Sequence, residues 1–291
     1  QFKLHDVVSE AENAGEAEYS ISAAAATTAA DYHPLHNEDA YFIDAQAAAA
    51  GVFDAVGGVP GSAAAAQVSA NSLAESLGNL PKQMTKAQSD EAVYDAVQQA
   101  HQAVISHDVE RTISTTAAIV KIFEDNGEHY ATVAHVGDSR VYLLRKGHLA
   151  MVTLDHAFDE SKVSVDKQFE LQKKLAEATE QTEMDAEIFD AFMNRNDIYS
   201  SISNNSDYAS RISMIQFDLM PGDRLIMTTD GIHDNLTTKE IKKALQSHNS
   251  DEEATKFMVE LARERSRSNP RHIRAKPDDM TAVILSYGEA A

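Results

Sequence analysis

Residues 225–234 read Leu-Ile-Met-Thr-Thr-Asp-Gly-Ile-His-Asp, and the rest of the chain can be interpreted outward from them. The apolar run follows Pro-Gly-Asp at 221–223, and a short run bounded by such a turn predicts a buried strand. Asp230 ends the run, and Gly231 lets the backbone turn sharply directly after it. Asp234 follows four residues later, so one helical turn would direct both carboxylates to the same place. In isolation, this Asp-Gly pair would indicate an ordinary strand exit with an Asx turn.

The same order of apolar strand, acid and small residue occurs twice more in the chain. Asp54 follows the apolar run at 51–53, and Asp138 follows the run at 133–136 with one glycine between them. A fourth acid, Asp278, lies just before the last apolar run of the chain. Because these acids stand at strand ends, they can converge on one edge of a core.

Such a convergence is costly without a cation. Two carboxylates about 4 Å apart repel by roughly 4 kcal/mol at an effective dielectric constant near 20, and several pairs would add to this. The acids therefore stay apart, become protonated or bind a metal ion. With oxygen ligands and no cysteine in the chain, the metal would be Mg²⁺, Mn²⁺ or Ca²⁺ rather than Zn²⁺.

The composition is that of a globular protein with one large domain or two small ones. Of the 291 residues, 43% are hydrophobic and 24% are charged, which argues against disorder. The absence of cysteine excludes a disulfide framework and a zinc–cysteine site. The net charge of -21 would repel a phosphate backbone, so we expect no nucleic-acid partner.

Localisation is predicted from what the sequence lacks. No run approaches the roughly 20 apolar residues that a membrane span requires, and the start of the chain has no signal-peptide pattern. The chain begins with Gln1 rather than Met, which indicates trimming. We expect a cytoplasmic protein without a membrane partner, and a monomer by default.

Periodicity predicts two groups of antiparallel strands with helices between them. Strands are predicted at 19–28, 41–43, 51–53, 117–123, 130–136, 141–144, 149–152, 212–217, 224–227 and 282–285. Helices are predicted at 63–77, from the expected N-cap region 89–91 to about 107, at 167–178, after the capping box at 237–240 and at 251–265. The polar stretch 155–210 is predicted to be an inserted surface element. This pattern favours a layered α/β sandwich in one domain.

Six stretches, taken together and in order, resemble the motifs of the metal-dependent protein serine/threonine phosphatases of type 2C, the PPM family. They are Asn-Glu-Asp at 37–39, Val-Phe-Asp-Ala-Val-Gly-Gly at 52–58, Val-Gly-Asp-Ser-Arg at 136–140, Thr-Leu-Asp-His at 153–156, Thr-Asp-Gly-Ile-His-Asp at 229–234 and Asp-Asp-Met-Thr at 278–281. The resemblance implies an α+β fold, a four-layer αββα sandwich with two central antiparallel sheets flanked by helices. It also implies a single catalytic domain over 1–291, with 155–210 as a flap beside the site.

The resemblance further implies a binuclear Mg²⁺ or Mn²⁺ centre with a possible third ion. Asp54 would bridge the two metals, Asp230 and Asp278 would hold the first, and the carbonyl of Ala55 would contact the second. A water between two divalent cations has its pKa lowered and can attack phosphorus without a covalent nucleophile. The implied substrate is a phosphoserine or phosphothreonine side chain of a protein.

Further carboxylates are assigned by the same resemblance. Glu38 and Asp39 would act on the second metal, largely through its waters. Asp138 and Asp234, together with Asp230, would form the third-metal site. The predicted catalytic set is then Asp54, Asp138, Asp230 and Asp278.

Several other residues of these motifs have simpler interpretations. Arg140 is expected to hold a loop, and Asp155-His156 is expected to be a hydrogen-bonded turn rather than a catalytic pair. His33, His36 and His135 have too few matching partners in the sequence to predict zinc.

Two departures from the family pattern would lower activity. Pro34 stands where the family usually has an arginine that binds the substrate phosphate. Ala55 stands where the family has glycine, and strain there would cost on the order of 1 kcal/mol if the backbone needs a glycine-like angle. Val56 replaces a histidine found in many eukaryotic members. A pseudophosphatase that acts as a regulatory binding module is therefore the alternative to an active enzyme.

Overall fold

The computed structural model describes residues 8–14, 19–56, 61–107, 112–157, 163–205, 211–268 and 272–289. The predicted glycine-rich motif at 52–58 ends in residues outside these ranges. No helix within the described ranges is both long and apolar enough to cross a membrane.

Thirteen strands and seven α-helices are present in the described residues. The strands are β1 (Val8–Ala14), β2 (Tyr19–Thr28), β3 (Ala40–Asp44), β4 (Ala49–Phe53), β5 (Ser114–Thr115), β6 (Ala117–Asp125), β7 (Glu128–Val136), β8 (Arg140–Arg145), β9 (His148–Met151), β10 (Ile202–Ser203), β11 (Ser213–Asp218), β12 (Asp223–Thr228) and β13 (Met280–Glu289). The helices are α1 (Ser62–Gly78), α2 (Lys86–His107), α3 (Val165–Leu175), α4 (Ala186–Met193), α5 (Asp230–His233), α6 (Thr238–Ser247) and α7 (Asp251–Ser266).

Two antiparallel sheets form the centre of the molecule. One has six strands in the order β1-β2-β13-β12-β8-β9, and the other has five strands in the order β11-β7-β6-β4-β3. Helices α1 and α2 pack on the outer face of the five-stranded sheet, and α6 and α7 pack on that of the six-stranded sheet. The predicted α+β sandwich of four layers is therefore confirmed.

Strand β12 shows why the apolar runs in this chain are continuous. Leu225 and Met227 pack into the layer between the two sheets, whereas Ile226 packs towards helices α6 and α7. In the neighbouring strand β13, Val283 and Ile284 divide in the same way. Because successive side chains of a strand point to opposite faces, a strand covered on both faces is apolar throughout.

The sequence contains two glycine-containing hairpin signals between predicted strands, Asp-Asn-Gly at 125–127 and Lys-Gly at 146–147, and both turns are present. Asn126-Gly127 joins β6 to β7, and Lys146-Gly147 joins β8 to β9. All four residues have positive φ values, between 48° and 83°. Two successive residues of this conformation give the primed turn that matches the twist of the flanking strands.

The predicted start of α2 is wrong by one turn. The helix begins at Lys86, and Ser89 lies inside it, where its hydroxyl is buried against that of Thr132 at 2.8 Å. Thr85 and Gln88 supply the cap instead, since Gln88 N donates to Thr85 Oγ1 at 3.2 Å and Thr85 N donates to Gln88 Oε1 at 2.9 Å. Both serine and threonine favour N-cap positions, so residue type alone did not separate the two candidates.

A buried ion pair joins the six-stranded sheet to the stretch 155–210, the predicted flap. Arg140 at the start of β8 donates to Asp155 through Nε at 2.9 Å and through Nη2 at 2.6 Å. Gln172 of α3 donates to the same carboxylate at 2.8 Å and accepts from the Asp155 amide at 2.9 Å. Arg140 therefore holds a loop, as its motif indicated.

We expect Arg140→Met to lower the free energy of unfolding by about 3–5 kcal/mol, because it leaves the buried Asp155 carboxylate without its charge partner. Urea denaturation measures this loss. The matched control is Lys174→Met, which removes an exposed partner of Glu170 and should leave the stability almost unchanged, because solvent screens an exposed ion pair. The double variant Arg140→Met with Asp155→Leu should recover part of the lost stability. Equal losses in Arg140→Met and in the control Lys174→Met would contradict a structural role of the buried ion pair.

Candidate metal centre

One cleft of about 350 Å³ collects most of the predicted metal-binding residues. Six of the eight line it directly, namely Glu38, Asp54, Ala55, Asp138, Asp230 and Asp278. The cleft is also lined by Tyr32, Val56, Thr116, Asn196, Ile198 and Lys276. The strand ends identified in the sequence therefore converge, and they do so at one end of the sandwich.

Asp54 is held at the end of β4 by the segment that precedes β6. The Asp54 carbonyl accepts from Thr116 N at 2.8 Å, and Val56 N donates to Ser114 O at 2.9 Å. Ala55 forms a β-bridge within this arrangement and does not have a positive φ value. The expectation of backbone strain at Ala55 is therefore wrong, because extended backbone accepts an alanine without cost.

Asp230 and Asp278 are brought together by a close backbone contact. Asp230 opens the short helix α5, and a Cβ atom on Gly231 would lie 1.8 Å from the carbonyl oxygen of Asp279. Glycine is therefore required here for space. The helical turn predicted from the four-residue spacing is present, since Asp234 N donates to Asp230 O at 2.8 Å, but only Asp230 lines the cleft, and Asp234 lines a neighbouring cavity.

Asp279 fixes the loop that carries Glu38. Its two carboxylate oxygens accept from Ala30 N at 2.7 Å and from Glu38 N at 2.6 Å. His33, Glu38 and Asp279 also place potential ligand atoms within 4.8 Å of one another, so His33 has more acidic neighbours than its sequence context indicated. Because both Asp279 oxygens already accept backbone hydrogen bonds, the role of Asp279 in this structure is to position the loop.

Asp39 does not line the cleft and lies buried behind it. Its Oδ2 atom accepts from Thr229 Oγ1 at 2.8 Å, and Thr229 Oγ1 in turn accepts from Thr281 N at 3.0 Å. Burial raises the pKa of Asp39 well above its ordinary value, and the charge of Asp279 adds to this effect.

The carboxylates that line the cleft carry more negative charge than the protein compensates. Burial raises the pKa of Asp54 well above its ordinary value, and the neighbouring charges of Asp230 and Asp39 add to this. Burial and the charge of Asp230 likewise raise the pKa of Asp138. For Asp278, burial and Asp230 raise the pKa to about 7. These side chains would be stabilised as carboxylates by an added cation.

Unpartnered oxygens show that the site fits a hard metal ion. Asp39 Oδ1 and Asp230 Oδ1 are buried and have no hydrogen-bond partner among the described residues. Such atoms are costly unless they are satisfied, and a divalent ion that prefers oxygen ligands would satisfy them. The donor set consists of carboxylates with one backbone carbonyl candidate, which suits Mg²⁺ or Mn²⁺.

Lys276 is the functional residue that sequence interpretation missed. Its ammonium group contacts Asp230 Oδ2, lies 3.2 Å from Asp278 Oδ2 and lies 3.6 Å from Asp234 Oδ2. Only 15% of its side chain is exposed. A signal was present, because residues two apart in an extended segment point to the same side, which places Lys276 beside Asp278.

Asp234 faces a second cavity, which lies beneath the predicted flap. This cavity of about 310 Å³ is bordered by α3 and α4, and Asp234 and Arg195 both line it. Arg195 Nε donates to Asp234 Oδ2 at 3.0 Å. Burial would raise the pKa of Asp234, but Lys276 and Arg195 lower it below its ordinary value. Asp234 is thus compensated by two basic side chains, whereas Asp54 and Asp138 form no ion pair with a described residue.

His156 has contacts that hold its loop and does not line the cleft. Its Nδ1 atom accepts from Gly137 N at 3.1 Å, and its Nε2 atom lies 2.9 Å from Ser213 Oγ. Burial lowers the pKa of His156 to about 3, and the nearby His135 contributes to this. The ring is therefore neutral and acts as part of a hydrogen-bonded turn.

Sequence comparisons each match about half of the chain. Residues 28–162 match the family model described as Protein phosphatase 2C. A Streptococcus pyogenes serotype M6 protein that is itself assigned to the protein phosphatase 2C type is 29% identical over 150 residues. These residues are 52% of this chain and 52% of that protein, so the chain spans about half the length of the curated relative that it matches.

Solved structures share the fold over nearly the whole chain. The catalytic domain of the serine/threonine protein phosphatase PstP in complex with two manganese ions has a TM-score of 0.67 and 22% identity, and the match covers 93% of this chain and 100% of that chain. The phosphatase Stp1 from Staphylococcus aureus has a TM-score of 0.68 and 19% identity, with 91% and 94% of the two chains covered. At these identities the likeness shows a common fold.

We expect Gly231→Ala to destabilise the protein by about 1–3 kcal/mol, because the added Cβ has no space beside the Asp279 carbonyl. The displacement should also weaken Mn²⁺ binding, measured by calorimetry, since it moves Asp230 relative to Asp278. Gly78→Ala is the control, because a Cβ there would meet its nearest neighbour at 3.5 Å. Unchanged stability and metal affinity in the Gly231 variant would refute the packing argument.

Proposed function

We propose that this chain, whose residues 28–162 match the family model of protein phosphatase 2C, is a metal-dependent phosphatase that hydrolyses phosphoserine and phosphothreonine in proteins. The observation that carries the proposal is the convergence of Glu38, Asp54, Asp138, Asp230 and Asp278 on one cleft. Five carboxylates around an open space that one lysine compensates only in part suit the binding of divalent ions next to a phosphoryl group.

The proposed ligands divide between two Mg²⁺ or Mn²⁺ ions. Asp54 would bridge them, Asp230 and Asp278 would complete the first site, and the Ala55 carbonyl would serve the second. Glu38 lies at the same cleft, and its loop is held by the hydrogen bond from its amide to Asp279. The unpartnered Oδ1 of Asp230 supports its assignment as a ligand.

Third-site ligands are proposed as Asp138, Asp234 and Asp230, with Asp39 acting behind the second site. Asp138 lines the cleft and is buried without a compensating cation next to it, which supports a metal-linked role. Asp234 is in a different situation, because Arg195 and Lys276 already neutralise it.

Catalysis would combine the chemistry of the bound ions with positioning by the protein. When bound, the two ions would supply an activated water as nucleophile and stabilise charge on the phosphoryl oxygens. Asp54 is oriented for this by Thr116, whose hydroxyl accepts from Asp54 N at 3.1 Å and lies 2.6 Å from Ser139 Oγ. Asn196 and Ile198 border the cleft from the flap side and limit the access of solvent.

The alternative, a pseudophosphatase with a binding role, is favoured by one specific observation. Pro34 supplies no positive charge, and among the described residues that line the cleft Lys276 is the cationic one. Lys276 is already engaged by three carboxylates, so phosphate recognition lacks a free arginine of the kind that binds it in bidentate fashion. The ordinary backbone at Ala55 removes the other argument for this alternative.

We expect Mn²⁺ to stabilise the protein and to support hydrolysis of p-nitrophenyl phosphate. An ion that binds the folded state alone adds about 2.7 kcal/mol at a hundred times its dissociation constant. Thermal unfolding and initial rates should be measured with Mn²⁺ and with EDTA. A melting temperature indifferent to both would exclude the metal centre, whereas stabilisation without hydrolysis would favour the pseudophosphatase.

The carboxylates should also separate by role. Asp278→Asn and Asp54→Asn each remove a charged ligand of the proposed pair and should abolish binding of two ions. Asp138→Asn should leave the pair bound and reduce turnover. Calorimetric titration with Mn²⁺ gives the number of ions, and loss of every site in the Asp138 variant would refute the division.

A further inference from the structure

The Lys276 side chain enters the carboxylate cluster in the manner of a bound cation. Its ammonium group contacts Asp230 and lies within 3.6 Å of carboxylate oxygens of Asp278 and Asp234. Asn196 Oδ1 accepts from the same nitrogen at 3.4 Å. Three acidic neighbours and one amide oxygen thus surround a single positive charge.

This environment holds the lysine in its charged form. Burial alone would lower the pKa of Lys276, but Asp230, Asp234 and Asp278 raise it well above its ordinary value. The same charge compensates Asp234 and acts against the rise in the pKa of Asp278. Lys276 therefore offsets part of the repulsion that the convergence of acids creates.

Two of its partners are the residues proposed to hold the first metal ion. A divalent cation bound at Asp230 and Asp278 would lie close to the ammonium group, which already contacts Asp230 Oδ2, and the two positive charges would repel each other. The lysine is covalently attached two residues before Asp278, so its local concentration at the cluster is high.

We propose that Lys276 is a built-in counter-cation that competes with divalent metal for Asp230 and Asp278 and so sets the metal affinity of the centre. The ammonium group opposes metal binding because it occupies Asp230 Oδ2, lies near Asp278 Oδ2 and repels the incoming cation. The inference rests on the proposed metal centre but not on phosphatase turnover, because metal binding can be measured without substrate.

Metal titration of a lysine variant tests this directly. Lys276→Met keeps most of the apolar side chain and removes the charge, and we expect its Mn²⁺ affinity, measured by calorimetry without substrate, to rise at least tenfold. The control is Lys239→Met, which removes the same charge from a side chain that is 84% exposed and pairs with Glu177. Lys276→Arg retains the charge and should bind Mn²⁺ no more tightly than the parent protein.

Stability gives a second readout. In EDTA, Lys276→Met should melt at a lower temperature than Lys239→Met, because the acids lose their internal partner. In saturating Mn²⁺ this difference should disappear. A methionine variant that folds only with Mn²⁺ would also support the proposal, and Lys276→Gln would then be used for the titration.

The outcomes that would contradict the competition differ from those that would contradict the proposed function. If Mn²⁺ binds the parent, Lys276→Met and Lys239→Met with affinities within twofold, the competition is refuted while the proposed function stands. If Lys276→Met binds Mn²⁺ as the parent does but has a raised KM for p-nitrophenyl phosphate, Lys276 is instead a phosphate-binding residue. Absence of Mn²⁺ binding in the parent and in every variant would overturn both the competition and the metal-dependent function. Tighter binding in Lys276→Met without hydrolysis by any protein would support the competition alone.

Discussion

Electrostatic repulsion between carboxylates is the constraint on which this structure depends. The fold brings Asp54, Asp138, Asp230 and Asp278 to one cleft, where their negative charges raise one another's free energy. For scale, two carboxylates about 4 Å apart would repel by roughly 4 kcal/mol at an effective dielectric constant near 20. The protein tolerates the arrangement because the framework around it is rigid. Continuous apolar strands, buried on both faces, fix the strand ends from which these acids project. The stability of the sandwich therefore holds these carboxylates together against their mutual repulsion, and a bound cation would reduce that repulsion.

The buried carboxylates differ in how far basic side chains of the protein offset their negative charge. Asp155 is buried against Arg140, and Asp234 lies between Arg195 and Lys276. Asp54 and Asp138 have no comparable partner among the described residues, and burial raises the pKa of both. Pairing with basic side chains thus separates Asp155 and Asp234, which hold the structure, from Asp54 and Asp138, which remain available to a ligand. This division could not be obtained from the motifs alone, since every one of these residues is an aspartate that follows a strand or turn.

Sequence interpretation was most successful where a local pattern determines the structure. The hairpin turn Asn126-Gly127 and the strand before Asp230 follow from backbone preference and apolar periodicity, and both are present. The resemblance to a known family supplied the order of layers. Ser89 was misjudged because capping depends on which hydroxyl reaches a free amide, and Thr85 does so. Lys276 was missed because two of its three carboxylate partners, Asp230 and Asp234, are distant in sequence, and the nearby Asp278 alone does not indicate a buried cluster.

The contact between Arg195 and Asp234 has a consequence for the segment above the site. The flap is held by Arg195 through the Asp234 carboxylate, and Asp234 also lies near Lys276. The position of the flap and the binding of cations in the cleft are therefore thermodynamically linked. Such linkage is reciprocal. If a ligand that draws Asp234 away from Arg195 weakens the attachment of the flap, then stabilising the attached flap weakens the binding of that ligand by the same factor.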